Sequence, residues 1–174
     1  MSDLRYPIGK FEPYKILTEE KKNELISDIE KMPDLLRKAV SGLSESQLDT
    51  PYRPDGWTVR QVVHHLFDSH QNAYTRFKLT MTEHEPTIKP YDETAWAELV
   101  DAKTAPVEIS LMLLDNLHKR WVMYMKSLKL EDFSKNYTHP DHGKVNLVWG
   151  LSMYSWHSRH HVAHITKLRK RMSW

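Results

Sequence analysis

Apolar residues recurring at helical spacing over long stretches constrain this chain more than any other feature. Leu111, Leu114, Leu117, Trp121, Met125 and Leu128 follow one another at steps of three and four, so one face of a helix is apolar along its whole length. Three more blocks read as long helices, with no convincing strand and no internal repeat. Thr18 can cap a first helix reaching about Leu43, which Pro33 is expected to kink or split. Ser44-Glu-Ser-Gln47 has capping-box form and predicts a short helical turn before the loop Asp49–Gly56. Thr58-Val-Arg-Gln61 repeats that form and opens a second long helix over about 58–82. A proline-punctuated crossover from Glu85 to Ala105 follows, with a short helix around Thr94–Leu99. Pro106 suits the first position of the third helix, which ends near Leu128. A loop, Phe133–Lys144, leads to a fourth helix capped by Asn146 and running to about Arg171. Residues 1–17 read as an extended arm laid across the body. Glycine occurs only five times in 174 residues, too few for many tight turns. The expectation is one domain over 1–174: all-α, an up-and-down four-helix bundle with a long crossover between the second and third helices.

Composition excludes several chemistries. With no cysteine, a thiol nucleophile, an iron–sulfur cluster and disulfides are ruled out. A metal site must then use imidazole and carboxylate, which suits zinc, nickel, iron or manganese. The formal charge is +2, and the one basic cluster, Lys167-Leu-Arg-Lys-Arg171, reads as the cationic last turn of a helix. Nothing points to nucleic acid. The first residues lack the apolar run of a signal peptide, and no stretch approaches the roughly 20 apolar residues of a membrane span. A cytoplasmic protein is expected.

The histidines carry the chemical signal. Trp156-His-Ser-Arg-His-His-Val-Ala-His164 places four of them in one helical stretch. Two pairs stand at i,i+4 spacing, His157/His161 and His160/His164, and such a pair stacks on one helix face. A helical wheel puts His157 and His161 inside or at the edge of the apolar arc. It puts His160 on the polar flank, and His164 at the opposite border of the arc. A third ligand can come from the second helix, where His70 lies nearest the apolar centre, His65 at its margin and His64 on the far side. Periodicity leaves the choice between His65 and His70 open.

Trp57-Thr-Val-Arg-Gln-Val-Val-His-His-Leu-Phe-Asp-Ser-His70, taken with Trp156–Ile165, resembles the DinB/YfiT-like superfamily. The similarity extends to Tyr6-Pro-Ile-Gly9, Leu48-Asp-Thr-Pro-Tyr-Arg53 and Tyr74-Thr-Arg-Phe-Lys-Leu79, so it covers nearly the whole chain. It is closest to the YfiT branch of metal-dependent hydrolases. The resemblance implies a helical bundle holding one zinc ion, or nickel, on His65, His157 and His161. Many relatives carry Gln where His164 stands, so His164 is not implied as an obligatory ligand. It also implies a homodimer.

Three imidazoles with open positions would make a catalytic rather than a structural site. The first expectation is a hydrolase acting on a small molecule through metal-activated water. A transferase using a low-molecular-weight thiol such as bacillithiol is the second, since a metal can also stabilise a thiolate. A non-enzymatic metal-binding scaffold is the third. Asp68, one turn beyond His65, is a candidate to orient an imidazole, against the plainer reading of a solvated helix residue. No catalytic acid or base stands out. Glu83, Glu85, Asp92 and Glu93 could reach a pocket mouth, although acids in such crossovers are usually solvated. His139-Pro-Asp-His142 could supply a ligand or proton shuttle, or simply form a turn. Trp57 and Trp156 read as wedges near the site, and Arg53 and Arg159 as candidates for an anionic substrate.

Overall fold

The computed structural model describes residues 3–174. Its elements in chain order are α1 (Glu19–Val40), α2 (Glu45–Leu48), α3 (Val59–Thr82), α4 (Glu93–Ala97), α5 (Val100–Thr104) and α6 (Val107–Ser127). A 3-10 turn (Leu130–Ser134), a hairpin of β1 (Asn136–His139) and β2 (Gly143–Asn146), and α7 (Leu147–Met172) complete it. The caps act where their spacing places them. Thr18 accepts the Lys21 N–H at 3.1 Å, and Thr58 and Gln61 form a reciprocal capping box at the start of α3. Asn146 accepts the Trp149 N–H at 3.0 Å. Each such cap is worth about 1 kcal/mol.

α1, α3, α6 and α7 form the expected four-helix bundle, but not in simple up-and-down order. α1 packs on α6 and α7, and α3 packs on the same two, so α1 and α3 stand at opposite corners. Contacts along the axes give the directions. Ser155 bonds Asp28 and Arg169 bonds the Ala39 carbonyl, so α7 runs parallel to α1. His64 meets Ser110 and Tyr124 reaches the Phe77 carbonyl, so α6 runs parallel to α3. The path is up, down, down, up. The long crossover makes this possible: joining two parallel helices requires a connection that travels back along α3, about 36 Å for its 24 residues.

Two further corrections are local. Pro33 neither splits nor ends α1, which continues from Glu19 to Val40. The segment read as a loop contains the β1–β2 hairpin, paired from Asn136↔Asn146 to His139↔Gly143. Its strands of four residues each are too short to display an alternating pattern, although Tyr137 and His139 do point inward. The hairpin is tied to the crossover, since the Ile88 N–H donates to Thr138 O and the Thr138 N–H to Pro86 O.

The apolar core is divided in two. One cluster gathers Ile26, Phe77, Trp121 and Leu147, and the other Leu36, Leu66, Leu114 and Ile165. Histidines occupy the level between them. On each of α3, α6 and α7 the apolar stripe is interrupted at the same height, by His65 and His70, by His118, and by His157 and His161. No helix among the described residues is long and apolar enough to cross a membrane.

Candidate metal centre

His65, His157 and His161 converge. Each presents a ring nitrogen within 4.8 Å of the other two. Nε2 of His65 lies 3.2 Å from Nε2 of His157. Two nitrogens bound about 2.0–2.1 Å from one tetrahedral ion lie roughly 3.3–3.4 Å apart, so this spacing fits a shared metal. Burial holds the rings neutral, and neighbouring histidines reinforce it. His65 is pushed down to about 3, while His157 and His161 fall well below the usual imidazole range. Neutral imidazole is the form that binds metal.

The protonation pattern of His157 is set by a chain that begins at a proline. Pro33 has no N–H to give the carbonyl one helical turn back, which leaves Ile29 O free. His118 Nδ1 donates to that carbonyl at 2.7 Å. A carbonyl only accepts, so neutral His118 turns an Nε2 lone pair toward His70 Nδ1, 2.9 Å away. His70 therefore donates from Nδ1 and accepts at Nε2, where His157 Nδ1 lies at 3.1 Å. His157 must donate there, and its Nε2 lone pair is left facing His65. The chain also explains the unbroken α1. A proline inside a helix costs about 3 kcal/mol, and an unsatisfied buried carbonyl would add about 1–3 kcal/mol. His118 removes the second penalty.

A cavity of about 680 Å³ opens over this centre. Trp57 lies against His65 with ring centroids 4.5 Å apart, and Trp156 stacks on His160 at 4.2 Å. The N-terminal arm closes the outer side. His164 Nε2 donates to Arg5 O at 3.3 Å, Lys167 binds the Pro7 carbonyl, and Trp156 donates to Gly9 O. The expected arm thus lies on the body from residue 3 onward, but as two turns, at residues 4–5 and 7–8, and not as extended chain; residues 1–2 lie outside the described part.

A model of the DinB superfamily matches residues 28–165. The chain belongs to that superfamily. A protein of Bacillus cereus named "Putative metal-dependent hydrolase" is 57% identical over 174 residues, all of both chains. One of the same name from Bacillus anthracis is 56% identical over the same span. A solved structure of YfiT from Bacillus subtilis, described as "a probable metal-dependent hydrolase with an unusual four-helix bundle topology", superposes with a TM-score of 0.96. It is 50% identical, and 98% of each chain is covered. Its unusual topology accords with the up, down, down, up path of this DinB-superfamily chain.

Other expected residues divide. His160 is buried, not on a polar flank, because the arm and Trp156 cover it. His160, His161 and His164 make a second close group, and all three Nδ1 atoms are buried without a partner among the described residues. His64 is also buried, bonded to Ser110 at 2.7 Å and the Ala105 carbonyl at 3.1 Å, since α5 packs where the wheel showed open solvent. Asp68 does not reach an imidazole. It faces α5, where burial and then Asp101 push its carboxyl up to about 6. Of the four crossover acids only Glu93 lines the cavity. Glu83 ends α3, Asp92 caps α4, and Glu85 pairs with Lys144. His139 and His142 line the cavity wall outside both close groups. Arg53 lines it too, whereas Arg159 turns away to Asp28 at 3.2 Å.

His118 and Arg76 were not singled out from the sequence. For His118 a signal existed: it stands four residues after Leu114 and three before Trp121, inside the stripe. For Arg76 there was none, because only the fold shows which arginine buries a donor without a partner.

Proposed function

We propose that His65, His157 and His161 hold one divalent ion, zinc or nickel, and that the cavity hydrolyses a small molecule. The observation that carries this reading is the fixed lone pair of His157, aimed at His65 across 3.2 Å. Bound there, such an ion polarises a substrate oxygen and makes water nucleophilic near neutral pH. The names borne by the relatives support the same reaction class.

The chain's own residues do the rest. His70 keeps His157 from turning, because rotation would break the bond between them and strand a buried nitrogen. Trp57, packed over His65 and stacked near His161 at 6.4 Å, narrows the water layer around the three rings. With all three imidazoles neutral, the ligand rings themselves bring no positive charge to oppose a divalent ion.

Elemental analysis of untagged protein beside its His65→Ala and His157→Ala variants tests the assignment. About one ion per chain in the wild type and none in either variant is the expected result. Full occupancy in either variant refutes the ligand set. Turnover of ester and amide panels by the loaded protein without added thiol then supports hydrolysis. Turnover only with thiol replaces it by transfer.

A further inference from the structure

The same cavity holds a cation with no counter-ion. Arg76, on α3, lines it together with the histidines, and its Nε is buried without a hydrogen-bond partner among the described residues. Its one hydrogen bond is weak: Nη1 donates to the Tyr154 hydroxyl at 3.4 Å. No carboxylate of a described residue lies within 4.0 Å of it, and unlike the other arginines that are not exposed it gives no donor to a carboxylate or a carbonyl; Arg169, for one, binds the Ala39 and Ser41 carbonyls. Arg60 binds Asp49 and Glu45, and Arg159 binds Asp28. Arg53, the other arginine of the cavity wall, has its Nε engaged by the Tyr52 hydroxyl at 3.3 Å and its Nη1 by Pro54 O at 2.8 Å. The cavity's acids, Asp55, Glu93 and Asp141, are all exposed. A half-buried guanidinium left this way is costly to fold around, and a fork of free donors matches a planar oxyanion.

We propose that Arg76 is the anchor of an anion subsite, so that the substrate is a small molecule carrying a carboxylate or phosphate at the end remote from the reacting group. The placement fits two-point binding. Tyr154, which touches Arg76, also stands beside the centre, its ring 5.8 Å from that of His157. A molecule spanning the cavity would meet Arg76 at one end and the three histidines at the other. Binding the oxyanion removes the uncompensated charge, which gives selectivity against neutral analogues. This inference rests on reading the cavity as a substrate site.

The test is a binding titration that needs no turnover. Glutarate, inorganic phosphate and the neutral isostere glutaramide are added to the purified protein. Binding is read from the fluorescence of Trp57, Trp149 and Trp156, which line the cavity. The expected result is that one or both anions bind at least tenfold more tightly than glutaramide. Arg76→Gln should abolish that preference and Arg76→Lys should keep part of it. Glutarate alone points to a carboxylate substrate, phosphate alone to a phosphate ester. Anions binding no better than glutaramide overturns the proposal. So does an anion preference that survives in Arg76→Gln and disappears in His161→Ala, because the anion then sits on the histidine centre. Thermal melts of each variant confirm folding, and Arg76→Lys preserves charge should the Gln variant melt early. Failure of the hydrolytic reading would appear only in turnover and leaves this titration readable.

Discussion

The two flanks of the histidine centre are built on opposite plans. On the α6 side every ring nitrogen is assigned, from the Ile29 carbonyl through His118 and His70 to His157. On the arm side His160, His161 and His164 each bury an Nδ1 with no partner among the described residues. The first flank permits one tautomer at each step. The second fixes only His164, through the Arg5 carbonyl, and gives His160 and His161 no hydrogen bond at Nδ1 to settle their tautomers; its cover is a pair of turns instead of a helix. Rigidity in this site therefore comes from a backbone carbonyl, and histidines alone do not supply it.

The largest expected effect sets the two flanks against each other. His70→Leu should weaken metal binding by about 10–100-fold, the usual cost of losing the group that orients a ligand. His70→Gln should recover part of this, since its amide can both accept from His157 and donate to His118. His160→Ala should retain about one ion per chain. Chelator competition measures all three, and equal losses in His70→Leu and His160→Ala would erase the contrast.

Acid stability of the metal-stripped protein gives the next effect. Burial pushes His118 down to about 4, below the ordinary 6.5, so the unfolded chain binds its proton first. The stability His118 contributes is complete above about 6.5 and is lost as pH falls through about 4. Melting temperature should be level above neutrality and decline across that window, and His118→Gln should make the decline shallower. An unchanged slope in that variant would mean that the α6 flank has no part in it.

Pro33→Ala should produce the smallest change and the most specific one. The new N–H competes with His118 for the Ile29 carbonyl, so metal affinity should fall by roughly 1 kcal/mol, one hydrogen bond's worth. Helix stability should not fall, because alanine is the better helix former. Nitrogen-15 shifts of the imidazoles would show the released His118, and shifts identical to wild type would break the chain at its first link.

Much of the bundle was legible from spacing, because caps and apolar stripes are local. Thr18, Thr58 and Asn146 start their helices where their side chains can reach the first free N–H groups. Direction was not legible: nothing within α3 or α6 states that they run parallel, and only the crossover's length hints at it. Pro33 was read through its own helix alone, whereas its consequence lies on α6, where His118 takes up the carbonyl that the proline leaves free. The wheel handled His157 and His161 well because α3 covers that face. It failed for His160 and His64, whose covers are the arm and α5, segments with no periodicity to announce where they dock. Arg76 shows the same limit for charge, since a missing partner is a property of three dimensions.

The arm's grip on α7 has a consequence for how the protein is made. Arg5 and His164 lie 159 residues apart, as remote as almost any contact in the chain. During synthesis the residues around Arg5 leave the ribosome long before those around His164 and must wait for them before finding their seat. Contacts of such separation form late, because closing so long a loop costs entropy before it is repaid. The outer wall of the cavity is thus a late part of this bundle to assemble, and a newborn chain is without it until α7 has emerged.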